Sequence, residues 1–267
     1  MQLFVTEYTK KNDILIINDV ELLSQVRKVL RAKIGDVIRI QSPINEEKKT
    51  RYELRIERWN DTQMEWKIIS EQIHESTPET TIMIVAMPNK WDKAELIVQK
   101  LSEIGISEII FWPSERSVLK EWNSKKEERL QKIIKEAVEQ SRGRKLPKLV
   151  FTNEVTKYIC NSEIIIFDRK PTPPQPSAPG HPLLNKFNSP CPLHGEGGAI
   201  TIPSLRIGEG VGGEVTTVTG VIGPEGGLTP RDYEVFEAYQ PKVVGLGDTV
   251  LRMETAAIVG WWILKNN

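Results

Sequence analysis

From Leu3 to Ser70, apolar and polar positions alternate in short runs: LFVTEY, DILIIND, DVIRIQ, TRYELRIER and MEWKIIS. A period of two, broken by Gly, Asn and Asp turns, predicts the strands of a small β-barrel. One segment departs from it. ELLSQVRKVLRAK has helical spacing and places Leu22, Val26, Val29 and Leu30 on one face, with Arg27, Lys28, Arg31 and Lys33 largely on the exposed side. Ser76-Thr77-Pro78-Glu79 reads as a linker, which bounds a first domain at about residues 1–75.

From Thr81 the rhythm changes to strands alternating with helices. TIMIVAM is an apolar run of the kind found in strands buried on both faces. WDKAELIVQKLSEIGI predicts an amphipathic helix with Ala94, Ile97, Leu101 and Ile104 inward and Gly105 at its C-terminal end. SEIIFWP is the next strand. SKKEERLQKIIKEAVEQS is a second helix, burying Leu130, Ile133, Ala137 and Val138, and EIIIFD is a third strand. Such alternation predicts an α/β layer on a largely parallel sheet.

Residues 169–214 interrupt that layer. They hold more than half of the 17 prolines and close to half of the 18 glycines, with few large apolar residues. Such a stretch offers too little core to offset the entropy of ordering, which predicts a flexible insertion. The formal net charge is +0, so any polyanion partner must be held by local patches. No apolar run is long enough to cross a bilayer, and MQLFVTEYTKK lacks the three regions of a secretory leader. Cys160 and Cys191 are too few for a disulfide framework and fit a reducing cytoplasm. Cys191 and His194 form a C-x-x-H pair without a second pair, so no metal site is expected.

The densest chemistry lies between Gly220 and Trp262. GVIGPEGGLTPRDYEVF and VVGLGDTVLRMETAAIVGWW each join a short apolar strand to a helix through a glycine-rich turn. In the first, Gly226 and Gly227 are placed to take positive φ, Thr229 to cap a helix, Pro230 to open it and Asp232 to complete a capping box. No Lys-Ser/Thr follows, so this is not a phosphate loop, and Glu225 suits a ligand with positive charge such as a sulfonium. In the second, Gly245 and Gly247 end a strand, and Arg252 and Glu254 stand just before an apolar helix. By pattern alone the turns serve equally as strand–helix connections or as ligand loops. Trp261 and Trp262 read as core or subunit contact.

In order and spacing, VRKVLRAKIGDVIRI, KAELIVQKLSEIGISEIIFWPSERSVLK, EAVEQSRGRKLPKL, IGPEGG and LGDTVLRMETAA resemble the motifs of the RsmE family. That family comprises knotted SPOUT methyltransferases acting on N3 of a uridine in 16S (small-subunit) ribosomal RNA. The resemblance covers nearly the whole chain except 169–214. It implies a PUA-like or OB-like N-terminal barrel, a SPOUT domain over residues 78–267 with a C-terminal trefoil knot, a homodimer and a cytoplasmic enzyme. It also implies S-adenosyl-L-methionine as cofactor, bound by Ile222, Gly223, Pro224, Glu225 and Gly226 on one wall and by Leu246, Gly247, Leu251 and Met253 on the other.

This chain departs from the family pattern where Asp248-Thr249 replace Pro-Arg, where Met253 replaces Thr, and at Gly143, where an arginine is usual. The flanking Arg142 and Arg144 are placed to substitute with a shifted register. Arg252 would stabilise charge developing on a uracil carbonyl, and Glu254 would orient Arg252 or accept the N3 proton. No metal is required. Residues 111–150 hold eleven Lys or Arg against six acids, and this local excess supplies candidates for phosphate contact. Arg116, Lys120, Arg142, Arg144 and Lys145 stand out there, with Arg27, Lys28 and Arg31 in the barrel helix. The alternatives are a knotted methyltransferase of another target, such as guanine N1 of tRNA, and an RNA-binding relative without catalysis.

Overall fold

The computed structural model describes residues 2–43, 48–59, 63–75, 80–143, 145–159, 162–168 and 217–266. The 76–79 linker, Arg144, Cys160, Cys191, His194 and the 169–214 segment lie outside these residues. The chain divides into two compact units. One comprises Met1–Thr77, Val98–Ser107 and Ser124–Pro147; the other comprises Pro78–Ile97, Glu108–Asn123 and Lys148–Asn267.

In the first unit six strands form one sheet: β1 (Leu3–Val5), β2 (Thr9–Lys11), β3 (Ile14–Ile17), β4 (Val37–Gln41), β5 (Lys48–Trp59) and β6 (Met64–Glu75). Their order is β1-β4-β5-β6-β3-β2, with β1 parallel to β4 and every other pair antiparallel. Alternation makes one face of the sheet apolar, and Phe4, Leu15, Ile17, Ile40, Leu54, Ile56 and Trp66 meet there in a single core. The all-exposed TKK of β2 carries no apolar alternation, which is why sequence pattern missed it.

The expected barrel helix is shorter and differently phased. Helix α1 (Val20–Ser24) is capped by Asp19, which accepts from the Leu22 N–H at 3.0 Å and the Thr6 hydroxyl at 2.9 Å. It runs directly into a widened π-type turn, Gln25–Val29, closed by the Leu30 N–H on the Gln25 carbonyl at 3.0 Å. The extra residue in that turn rotates the next side chains by about 100° relative to a continuous α-helix. Val29 and Leu30, expected on the buried face, are therefore exposed at 71% and 38%, and Leu23 joins Leu22 and Val26 in the core. Arg27 lies over the Trp59 ring at 5.2 Å.

The same unit contains α3 (Ser124–Ser141), which buries Leu130, Ile134, Ala137 and Val138. Ile134 takes the place expected for Ile133, because the i, i+4, i+7, i+8 stripe selects it. Glu139 accepts from the Val5 N–H at 2.8 Å and so fastens α3 to β1. The helix ends in a Schellman-type cap: the Gly143 N–H reaches the Val138 carbonyl at 2.9 Å and Arg142 takes φ +56°. Arg51 then clamps the cap, donating to the carbonyls of Arg142 at 3.3 Å and Gly143 at 3.1 Å.

The second unit is built on a wholly parallel six-stranded sheet of order β12-β10-β11-β7-β8-β9. Its strands are β7 (Thr80–Ala86), β8 (Glu108–Trp112), β9 (Lys148–Phe151), β10 (Ser162–Phe167), β11 (Thr217–Ile222) and β12 (Lys242–Val244). Helix α2 (Trp91–Ile104) follows β7 and has Ala94, Ile97, Val98 and Leu101 fully buried, while Gly105 ends it at φ +87°. One face of the sheet carries Ile82, Ile84, Ile110, Ile164, Ile166 and Val221, packed against Leu228 and Phe236. Met83, Val85, Ile109, Phe111 and Ile165 on the opposite face are buried too, which explains the unbroken apolar runs.

Helix α4 (Pro230–Glu237) carries the expected capping box, with Thr229 and Asp232 bonded reciprocally. Helix α5 (Met253–Asn266) packs over β11 and β7. Small residues let it lie close to the sheet. A Cβ added at Gly260 would stand 2.9 Å from the Phe167 ring, and one at Gly220 would stand 2.9 Å from Leu264. Trp261 is buried and Trp262 is 63% exposed. No described helix is long and apolar enough to cross a membrane.

Candidate active site

Because all six strands are parallel, their C-terminal ends line one edge of the sheet, and the connecting loops gather there. The chain runs outward from β7 to β8 and β9, then resumes on the other side of β7 with β10, β11 and β12. Open parallel sheets bind ligands at such a reversal of strand order. Both glycine turns lie at that edge. They follow β11 and β12, which flank β10, so the strands that carry them are about 10 Å apart at ordinary strand spacing. A small molecule spans that distance.

In the turn after β11, Ile222 and Pro224 are buried, Gly223 is half-buried, and Glu225 and Gly226 are exposed. The Gly227 N–H closes it on the Pro224 carbonyl at 2.9 Å, and Gly227 alone of the pair takes positive φ, +74°. The expectation of positive φ at Gly226 is corrected by this geometry. Gly223 serves packing: a Cβ there would lie 2.9 Å from Leu228 Cγ. Asp232, 3% exposed, accepts from the Thr229 N–H and the Glu115 N–H, both at 2.9 Å, and joins the start of α4 to the loop after β8.

In the turn after β12, Gly247 takes φ +107° with nothing within 4 Å of where a side chain would begin. Leu246 and Leu251 are half-buried, Met253 is buried and Gly247 is exposed. Arg252 is exposed, and its carbonyl receives the Ala256 N–H at 2.8 Å as α5 begins. Glu254 sits inside the first turn of α5, where the dipole favours a carboxylate. Its Oε2 is buried and has no hydrogen-bond partner among the described residues. A buried carboxylate oxygen in that state calls for a partner, a water or a ligand group.

Between the two turns stands a residue that sequence reading missed. Asp168 directly follows β10, donates its N–H to the Val244 carbonyl at 3.2 Å and accepts from the Tyr233 hydroxyl. Burial, then the Asp168 carboxylate, raises the Tyr233 phenol above its ordinary range. An acid directly after EIIIF, at the end of a buried strand, was the available signal.

Arg116, expected at RNA, donates to the Gly226 carbonyl at 2.6 Å. Glu225 is met by Lys93 Nζ at 2.7 Å and by the Asn89 N–H at 3.3 Å. Burial raises the Glu225 carboxyl, but these bonds outweigh it and hold the group below its ordinary value. Of the other described candidates, Arg27, Arg31, Arg142 and Lys145 belong to the first unit. Arg31 and Arg142 are exposed, and Arg27 and Lys145 are half-buried. No group of three His, Cys, Asp or Glu suited to a metal occurs among the described residues.

An open parallel α/β sheet with one glycine turn at its switch point after β11 and a second after β12, with β10 between them, is a scaffold suited to holding a small ligand. The family description "RNA methyltransferase domain" matches residues 75–188 and 195–265, and the chain belongs to that family of enzymes. Among curated relatives, the Ribosomal RNA small subunit methyltransferase E of Rickettsia conorii is 27% identical over 246 residues, covering 87% of this chain and 82% of that protein. The protein of the same name from Bacillus subtilis is 30% identical over 172 residues, 63% of this chain and 59% of its own length. The fold is also that of Ribosomal RNA small subunit methyltransferase E from Neisseria gonorrhoeae, solved bound to S-adenosyl methionine. The two share a TM-score of 0.69 and 20% identity over 100% of this chain and 97% of that one. A Legionella pneumophila methyltransferase solved with the same cofactor gives 0.65 and 23%, over 99% and 96%.

Proposed function

We propose that the protein transfers a methyl group from S-adenosyl-L-methionine to N3 of a uridine in 16S ribosomal RNA. The observation that carries this reading is the pair of glycine turns at the strand ends of the parallel sheet, the second leading into Glu254, whose buried Oε2 has no partner among the described residues, in a chain whose curated relatives are named for small-subunit ribosomal RNA methylation. The open space at Gly247 and the half-buried Leu246 and Leu251 suit a flat adenosine enclosed by apolar side chains and backbone groups. Met253 joins Leu246, Gly247 and Leu251 in that wall, and Ile222, Gly223, Pro224, Glu225 and Gly226 form the other.

When bound, the cofactor supplies a methyl carbon activated by its sulfonium. The chain's residues must then hold a weakly nucleophilic ring nitrogen in line with that carbon, and much of the acceleration comes from this positioning. Uridine N3 carries a proton that has to leave. Arg252, exposed at the start of α5, is placed to stabilise the charge that spreads onto the uracil carbonyls. Glu254, in the first turn of α5, orients Arg252 or accepts the N3 proton.

The remaining parts of this reading are a PUA-like character for the N-terminal sheet, a trefoil knot in the C-terminal region, a cytoplasmic location and a homodimer. The exposed Trp262 and Val250 support a subunit contact. Phosphate contacts fall to Arg27, Arg31, Arg142, Arg144 and Lys145, and Arg116 contributes through the glycine turn. Mapping modified nucleosides by mass spectrometry in ribosomal RNA from a strain lacking the gene tests the reaction. Loss of one N3-methyluridine, restored by the wild-type gene and not by an Arg252→Ala variant, is the expected result. Intact ribosomal RNA methylation with a missing N1-methylguanosine in tRNA would overturn it.

A further inference from the structure

We propose that Lys93 and Arg116 are positioning residues that hold the glycine turn after β11 in its binding geometry, and that Glu225 serves as the anchor point for Lys93 and not as counter-ion to a sulfonium. The inference rests on the cofactor reading above and deepens it. Lys93 lies in the first turns of α2, after β7, and Arg116 lies in the loop after β8. In the sheet β11, β7 and β8 are consecutive neighbours, so two adjacent strand-end loops each send one cation onto the turn that follows the third. Lys93 Nζ meets Glu225 Oε1 at 2.7 Å, the Asn89 N–H reaches the same oxygen at 3.3 Å, and Arg116 meets the next carbonyl, that of Gly226, at 2.6 Å.

Three donors on two successive residues matter because of what those residues are. The turn holds Gly223, Gly226 and Gly227, so its unbound backbone would sample many conformations and ordering it would cost affinity. The opposite flank of the turn is fixed by Leu228, which packs where a Gly223 side chain would be. Lys93 and Arg116 fix the remaining flank. Since Lys93 already neutralises Glu225, the carboxylate offers a bound sulfonium little net field.

An isolated pair of this exposure, 29% on each side chain, contributes modestly. Preorganisation of a glycine turn is where such a contribution reaches the ligand. Lys93→Met in the full-length protein should raise the dissociation constant for S-adenosyl-L-methionine, measured by isothermal titration, by about three- to tenfold. Turnover at saturating cofactor should stay within about twofold, so the change appears in KM and not in kcat. Glu225→Gln should raise the dissociation constant as Lys93→Met does, Lys93→Arg should restore affinity, and the exchange Lys93→Glu with Glu225→Lys should recover part of it. An unaltered dissociation constant in folded Lys93→Met, while the unsubstituted protein binds normally, overturns this proposal and leaves the function standing. Failure of Glu225→Gln to follow Lys93→Met overturns it too. Absence of binding by the unsubstituted protein removes the cofactor reading and this proposal with it.

Discussion

Asp232→Ala removes one buried carboxylate on which two segments depend. Its Oδ2 accepts from the Thr229 N–H at 2.9 Å and the Thr229 hydroxyl at 3.1 Å, and its Oδ1 accepts from the Glu115 N–H at 2.9 Å. Truncation removes the Asp232 half of the capping box and leaves the Thr229 N–H buried without an acceptor, which costs about 1–2 kcal/mol, while the Asp232 N–H still reaches the Thr229 hydroxyl. The partly buried Glu115 N–H adds about 0.5–1 kcal/mol, for a total of about 2–3 kcal/mol. Asp232→Asn retains one carbonyl oxygen but presents an NH2 to one set of donors, so about half of that loss is expected. Glu234→Ala, exposed on the same helix, should stay within about 0.5 kcal/mol. Urea unfolding followed by circular dichroism, with slopes compared across the set, measures all three. An Asp232→Ala protein within about 1 kcal/mol of the original would show that neither the cap nor the link to the β8 loop matters as argued.

Other outcomes are equally direct. Arg252→Ala should lower turnover on RNA about a hundredfold with no change in thermal midpoint, because the residue is exposed; Glu254→Gln should lose less if Glu254 only orients Arg252, and as much if it takes the proton. Replacing Arg142 and Arg144 together by Ala should weaken RNA binding across sequences and flatten its salt dependence by about one to two units of slope, with cofactor affinity unaltered. Asp19 caps α1, and hydrogen bonds from the Leu22 N–H and Thr6, with Lys135 nearby, outweigh the opposing and larger single effect of burial, so its carboxyl lies below 3.8. The stabilisation is therefore present at neutral pH and lost as pH falls through that depressed value; Asp19→Ala should cost about 1 kcal/mol at pH 7 and progressively less in acid, read from unfolding midpoints.

Much of this protein is written locally. Period-two alternation marks β3 to β6, because one face of each strand is apolar whatever its neighbours are. Unbroken apolar runs mark β7, β8 and β10, and the Thr229–Asp232 spacing by itself specifies the cap of α4. The glycine turns and the residues after them were legible too, since turns and helix starts need particular residues at fixed offsets. What pattern could not supply was anything that depends on how distant segments meet. The π-type turn that exposes Val29 and Leu30 follows from packing on the sheet, and β2 forms because β3 offers it an edge. The order β12-β10-β11 sets the two glycine turns with one strand between them, and no run of sequence encodes that order. For the same reason Asp168, Tyr233 and Lys93 passed as ordinary residues in the sequence, and Glu225 read as a free carboxylate. Their partners lie 65 and 132 positions away along the chain. Hydrophobic periodicity reports which way a residue faces; only the assembled sheet edge determines what it faces.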